Sequence, residues 1–314
     1  MIKKFILSTV LALTTVAAPA VAEWKPNGSV KMMTMFPPGG GGDVLSRAVA
    51  KHFEDKLGWN VVVENKPGGG GAAMAKVLKG APANGMTIGF AVSETFSFAP
   101  IMNPKVGYSA DDFNFLGAVA NTQIGWVAPT NAPYNTLEEL VEAAKSGTEI
   151  QVGVFSPRSN AAVRAIGKHF GVEFMPVPIK SGAAGVNDVL NGHLTTTLAA
   201  GPQAPHVRKG DMKVLASLEA DRLLVGGDAK TVEESGAGVA TFRVKWLLAA
   251  PAGVPQEALD VWSSAIESAM QNADLRTFIQ DKMSLKMEFT SGASLTQLIV
   301  GGRGNNETLI KFLK

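Results

Sequence analysis

Phe36-Pro37-Pro38-Gly39-Gly40-Gly41-Gly42-Asp43-Val44-Leu45 is the stretch around which this chain is organised. The apolar run from Val30 to Met35 before it reads as a strand. After it Leu45, Ala48, Val49, His52, Phe53 and Leu57 recur at helical spacing and Gly58 closes the pattern, which predicts an amphipathic helix. Asp43 is the expected N-cap, because its carboxylate can accept the amide hydrogens of the first turn. Four glycines between strand and helix leave bare backbone whose amides can point at an anion, and the helix dipole adds to the attraction. A plain turn rarely needs four glycines.

A second loop of the same kind follows at once. Val61-Val62-Val63-Glu64-Asn65 reads as a β-branched strand, Lys66-Pro67-Gly68-Gly69-Gly70-Gly71 as its loop, and Ala72 to Lys79 as a helix with Met74, Val77 and Leu78 on one face. Two such units side by side put both glycine loops at one edge of a parallel sheet. That edge is where open α/β sheets bind ligands.

The chain begins with Lys3 and Lys4, an apolar run from Phe5 to Val16, and Ala20-Val21-Ala22. This order predicts an export signal cleaved after Ala22, with the mature chain starting at Glu23 in the periplasm. The apolar run is shorter than the ~20 residues of a membrane-spanning helix. Of 29 basic and 27 acidic residues, the first 22 residues hold two lysines and no acid, so 27 minus 27 leaves a mature charge of zero. A neutral chain argues against nucleic acid or an anionic membrane as partner. There is no cysteine, which excludes disulfides, thiol nucleophiles and cysteine metal sites. With two tyrosines and five tryptophans there is little surface for stacking bases or sugars.

Strand and helix patterns alternate to the end. Met86 to Val92 is a strand ending in Ser93-Glu94-Thr95, and Phe113 to Ala120 and Ile124 to Ala128 are two more. Thr136 and Glu139 form a capping box that opens a helix to Lys145, and Thr231 and Glu234 form another. The strand–loop–helix theme then recurs: Ile150 to Phe155, the loop Ser156 to Asn160, and a helix from Ala161 to Phe170 with Ser159 able to cap it. Phe174 to Ile179 leads into the small-residue loop Lys180 to Gly185. Thr195 to Ala200, Lys213 to Leu218, Val244 to Ala250 and Leu285 to Phe289 are further strands; Asp274 and Ser294 are expected to start the last two helices. The alternation predicts an α/β fold with two mostly parallel sheets flanked by helices. Ile124 to Pro129 and Val244 to Pro251 are the expected crossings. Residues 23–128 and 245–314 then form one domain and 129–244 an inserted second, with a hinge and a ligand cleft between them.

Phe36-Pro37-Pro38-Gly39-Gly40-x-x-Asp43-x-x-x-Arg47 is similar to the first signature of the Bug-type solute-binding proteins of tripartite tricarboxylate transporters, and Val61 to Gly71 resembles the second. Thr231 to Gly236 and Ala249 to Pro255 also match, so the resemblance spans the mature chain in order. It implies a type II-like two-domain periplasmic binding protein, monomeric and without cofactor or metal. Such a protein captures a small carboxylate, here most simply a di- or tricarboxylate, and delivers it to membrane subunits. The glycine loops would hold one carboxylate and the second-domain loops the rest. The implied binding residues are Phe36, Pro38, Gly39, Gly40 and Asp43, then Gly69, Gly70, Gly71 and Ala72, then Ser93 and Thr95. In the second domain they are Ser156, Arg158, Ser159, Asn160, Lys180 and Gly201. The chain departs from the family pattern at Asn84-Gly85-Met86-Thr87, at Ile179-Lys180-Ser181-Gly182, around Trp246, and at Pro157-Arg158 where glycine is usual. An arginine at 158 can clamp a second carboxylate bidentately and so select a diacid; the alternative is a side chain facing solvent at the cleft rim. Arg47 either braces the first loop or is a solvated face residue, and Trp246 reads as core.

Two rival readings start from the same residues. Gly68-x-Gly70-x-x-Ala73 loosely fits a dinucleotide fingerprint, but Lys66-Pro67 separates it from the strand and no acid about 20 residues on can take a ribose. An exported hydrolase acting on small organic acids needs a nucleophile and base. There is no Gly-x-Ser-x-Gly elbow, and His52, His169, His193 and His206 are scattered.

Overall fold

Two sheets, each flanked by helices, build the protein in this computed structural model, which describes residues 24–313. The expected signal segment and the start at Glu23 lie outside the described residues. The chain opens with β1 (Val30–Thr34), α1 (Gly41–Leu57), β2 (Val61–Asn65), α2 (Ala72–Lys79) and β3 (Thr87–Val92). Two short helices, α3 (Glu94–Ser97) and α4 (Ala99–Met102), lead to β4 (Phe113–Asn121). The middle of the chain supplies β5 (Ile124–Pro129), α5 (Leu137–Lys145), β6 (Gln151–Val154), α6 (Pro157–Phe170), β7 (Met175–Pro178), α7 (Gly182–Leu190), β8 (Thr196–Ala200), α8 (Ala204–Lys209) and β9 (Met212–Ser217). The end supplies β10 (Lys245–Pro251), α9 (Gln256–Gln271), α10 (Ala273–Thr277), β11 (Lys286–Ser291), α11 (Gly292–Gly301) and α12 (Arg303–Ile310).

The first sheet has the order β11-β4-β10-β3-β1-β2 and the second β7-β6-β8-β5-β9. Both are mixed rather than mostly parallel. Strands that carry the candidate loops are parallel: β1 with β2 and β3, and β6 with β7 and β8. Strands next to the passage between sheets run antiparallel: β10 against β3 and β4, and β5 against β8 and β9. A chain that leaves a sheet and returns at the same end of it re-enters in the opposite sense, as β10 does beside β4. Each sheet buries its own core. In the first, Trp262 Nε1 donates to the Gly85 carbonyl at 2.9 Å while Trp59 and Phe53 pack edge-on against the indole. In the second, Trp126 Nε1 donates to Thr196 Oγ1 at 3.0 Å. A large side chain so buried contributes about 1.5–3 kcal/mol, provided its polar atom is paired.

The passage between sheets is shorter than the sequence suggests. β5 lies wholly in the second sheet and β10 wholly in the first, so the chain crosses at residues 122–123 and 242–244. The crossing backbone is held by side chains. Glu219 Oε1 accepts from Thr122 Oγ1 (2.6 Å) and from the Ile124 amide (3.0 Å), while Gln203 Nε2 donates to the Gln123 carbonyl (2.8 Å). The C-terminal residues add a link of another kind. α12 and residues 311–313 leave the first lobe and pack on α6, with Leu309 against Ala161 and Ala165 and the Lys168 ammonium 5.4 Å from the Phe312 ring.

Several helix starts differ from the sequence reading for one reason: a side chain two or three residues earlier reaches the first turn. Ser156 caps α6 in place of Ser159, with Pro157 in the first turn; Asn272 caps α10 in place of Asp274, and Ser291 caps α11 in place of Ser294. The Thr231–Glu234 box forms, with Thr231 N donating to Glu234 Oε2 and Glu234 N to Thr231 Oγ1, but it closes a turn rather than a helix.

Burial pushes the Glu219 carboxyl up to about 8, against the hydrogen bonds from Thr122 and Ile124; the Glu94 charge pushes the same way and the Arg158 charge opposes it. A carboxyl raised in the folded state destabilises that state as pH climbs from its ordinary value of 4.5 to about 8, and by a constant amount above. Glu219→Gln keeps the acceptor oxygen and removes the charge. Its melting temperature should match the parent near about pH 5 and exceed it increasingly up to about pH 8; thermal unfolding followed by circular dichroism across that range checks it.

Candidate functional site

The parallel strands of each sheet end at one edge, and the two edges meet where Glu94, after β3, lies 2.9 Å from Arg158, after β6. At the first stand the glycine loops. α1 begins at Gly41, two residues before the expected cap, because Gly41 and Gly42 take helical geometry and Gly40 is the N-cap. Asp43 therefore caps nothing directly and does more. Its carboxylate accepts from the Gly39 amide (2.9 Å), Arg47 Nε (3.0 Å) and Asn65 Nδ2 (2.7 Å). Asn65 Nδ2 also reaches the Phe36 carbonyl at 2.9 Å, and Arg47 Nη2 closes the ring on Asn65 Oδ1 at 3.1 Å. Burial alone would raise the Asp43 pKa, but the hydrogen bonds from Arg47, Gly39 and Asn65 and the Arg47 charge outweigh it and hold it at about 2. Arg47 is thus a brace. Gly40 supplies no side-chain cap, and the amides of Gly41, Gly42 and Asp43 find no partner among the described residues. Free amides in a first helical turn are what an anion needs.

The second loop is shaped by its backbone. Gly68, Gly69, Gly70 and Gly71 have φ of 130°, 60°, 64° and 95°, a run that only glycine adopts without strain. Thr95 Oγ1 donates to the Gly70 carbonyl at 3.0 Å, and a Cβ on Gly71 would lie 2.4 Å from that same hydroxyl. Ser93 is tied into the sheet, its amide donating to the Lys245 carbonyl and its Oγ accepting from the Lys245 amide. Thr95 thus holds the loop, and Ser93 anchors the turn that carries Thr95 to β10.

Phe36 forms an aromatic floor. Its ring stacks on Trp246 at 4.9 Å and lies so close over Gly42 that a Cβ there would sit 2.2 Å from it. Trp246, read from sequence as core, sits where β10 leaves the crossing, and its Nε1 is shielded without a partner among the described residues. Met283 was not foreseen at all. Its methyl would be 3.8 Å from a Cβ on Gly41 and its carbonyl 3.4 Å from one on Gly201, so it joins the first loop to the second lobe.

On the facing edge, Ser156 and Ser159 are committed to each other. The Ser159 amide donates to Ser156 Oγ (3.1 Å) and the Ser156 amide to Ser159 Oγ (2.9 Å). The amides of Ala161 and Ala162 lie inside α6 and are not free for an anion. Asn160 accepts from Arg164 Nε at 2.9 Å, and Lys180 is exposed with no ion pair among the described residues. Arg158 is neither a clamp reaching into the cleft nor a solvent-facing side chain. It is 7% exposed and turned toward the first lobe, bonded to Thr241, Asn306 and Glu94. Those partners lie 64 to 148 residues away, and no local pattern announces them. Among the described residues no group of three or more His, Asp or Glu side chains is placed to hold a metal.

Two lobes, one of which presents free first-turn amides beside a run of left-handed glycines, define a two-lobed α/β architecture with a candidate anion site. The family model described as the tripartite tricarboxylate transporter family receptor matches residues 45–313, and the chain belongs to that family. It is 26% identical over 265 residues to a UPF0065 protein of Bordetella bronchiseptica, covering 82% of this chain and 78% of that one. It is 23% identical over 273 residues to the protein BugT of Bordetella pertussis, covering 85% and 84%. Its fold matches a TctC solute binding protein from Polaromonas at TM-score 0.77 and 23% identity, over 91% of this chain and 99% of that one. MatC from Rhodopseudomonas palustris with bound malate matches at 0.74 and 21% over 91% and 100%, and an R. palustris protein with adipate at 0.76 and 21% over 91% and 97%.

Gly71→Ala should destabilise the protein by about 1–3 kcal/mol, from left-handed backbone strain and the clash with Thr95. Gly40→Ser, at a φ of −72° with the nearest atom to its Cβ at 3.3 Å, should leave stability unchanged or raised by a new helix cap. Urea unfolding of the two variants beside the parent checks the contrast.

Proposed function

We propose that this protein is an extracytoplasmic receptor that binds a small carboxylate, a di- or tricarboxylate, between its lobes and hands it to the membrane subunits of a tripartite transporter without chemical change. The observation that carries this reading is the pairing of the free first-turn amides of α1 with four successive left-handed glycines beside them. Bare amides suit a carboxylate, and no side-chain charge is spent on it. The malate and adipate held by two proteins of the same fold support the ligand class. Among the described residues no helix is long and apolar enough to cross a membrane, which fits a receptor working beside its transporter.

In this reading residues 24–121 and 245–302 form one lobe and 124–241 the other, with the last residues strapped across. Gly39, Gly40 and Asp43 with Phe36 and Pro38 shape one half of the ligand site; Gly69 to Gly71 and Ala72, supported by Ser93 and Thr95, shape the other. Asn160, Lys180 and Gly201 face them. Ser156 and Ser159 form the wall beside Asn160, and Arg158 is left out of the contact set.

A thermal-shift screen with malate, adipate and citrate, against sulfate and NAD controls, tests the proposal. At about 100 times its dissociation constant a ligand adds about 2.7 kcal/mol, a readily measured rise in melting temperature. Gly40→Ser should blunt that rise, because its hydroxyl takes the amide the carboxylate needs. Mass spectrometry should recover the acid unchanged. A rise with NAD and none with any acid would overturn the reading.

A further inference from the structure

The side chain at 158 has a task that ligand contact does not describe. Arg158 leaves the first turn of α6 in the second lobe and enters a small polar cavity of about 60 Å³ between the lobes, lined in part by Ser93, Ser97 and Asn305. Nε lies 2.9 Å from Glu94 Oε1 of the first lobe, an ion pair in which the N–H is not aligned along the contact. Nη1 donates to Asn306 Oδ1 on α12, and Nη2 to the Thr241 carbonyl at 3.1 Å. The guanidinium plane is packed by Phe242 at 4.8 Å and Phe98 at 5.5 Å. Glu94 keeps 22% of its side chain exposed, but Oε1 is shielded, and it stands between Ser93 and Thr95, which tie the second glycine loop to the sheet.

We propose that Arg158 is an interlobe clasp, a positioning residue that holds the two lobes in the relation the ligand site requires without touching the ligand. One planar cation reaches the first lobe, the second lobe and the C-terminal helix at once. That is a geometry a guanidinium can serve and an ammonium cannot. Removing either partner leaves the other charge shielded and unpaired, so the arrangement of the lobes that shields them loses population, and affinity falls in proportion to the competent fraction. The affinity part rests on the proposed carboxylate site; the clasp itself does not.

The absence of cysteine makes a direct test possible. β2 and β7 are the outermost strands of their sheets, at the ends away from the crossing, and Val62 (47% exposed) and Met175 (46%) lie on them. Spin labels at Val62→Cys and Met175→Cys report the interlobe distance by electron–electron double resonance. Without any ligand, Arg158→Met and Glu94→Gln should each broaden the distribution and shift it to longer distance, and Arg158→Lys should fall between. A Glu94→Gln distribution that overlays the parent's would overturn the clasp, even if Arg158→Met failed to fold. Titration with malate forms the second arm: about tenfold weaker binding in Glu94→Gln is expected if the competent fraction falls to a tenth. A parent that does not bind malate counts against malate as ligand in the proposed function, while the ligand-free distances still decide the clasp.

Discussion

Amides can hold an anion only if nothing else in the protein has claimed them, and the first lobe is arranged around that constraint. Asp43 is its instrument. By taking the Gly39 amide, Arg47 and Asn65 together, its carboxylate fixes the loop on both sides while leaving the amides of Gly41, Gly42 and Asp43 free among the described residues. A carboxylate so provided with donors stays ionised through the physiological range, so the brace does not loosen there. Phe36 adds the steric half. Its ring, wedged over Gly42 and against Trp246, sets where the backbone of the first turn lies.

Where the lobes meet, the chemistry reverses. There the protein shields charge instead of leaving polar groups open. Glu219 answers the backbone of the crossing, Arg158 answers Glu94, and a single cation stands near two carboxylates. Burial pushes Glu94 upward against the pull of Arg158. Replacing such a cluster with apolar groups often leaves stability unchanged or improves it, whereas removing one member is costly. Its placement between the two lobes is better understood as setting their orientation than as strengthening the core.

Much of this was legible in the sequence, and the failures have physical causes. Glycine runs between a β-branched strand and an amphipathic helix identified both loops and the edge they occupy. The same glycines hid the start of α1, because Gly41 and Gly42 look like loop residues yet take helical dihedrals. The start of α6 is legible in Ser156-Pro157, the ordinary order of an N-cap and first helical residue, although Ser159 offers a competing cap three residues on. Arg158 was not available. Its surroundings are assembled by tertiary folding, and a loop that faces a cleft in one dimension of reasoning can turn its side chain into the neighbouring lobe. The strap formed by α12 was hidden for a similar reason, since Leu309 and Phe312 show an apolar face but not which helix receives it.

The four left-handed glycines have a consequence for how such a receptor can change its ligand over evolutionary time. Any single-nucleotide change in a glycine codon that alters the residue replaces it with an L side chain or a stop, and none of those side chains adopts this backbone without strain. Under the proposed function that loop is therefore a fixed reader of one feature, a carboxylate end. In that reading, any change of ligand is displaced onto positions where a side chain can be exchanged at little cost, such as the exposed Lys180 and the half-exposed Asn160 on the opposite rim. One side of the cleft is inherited as grammar, and the other is free to acquire vocabulary.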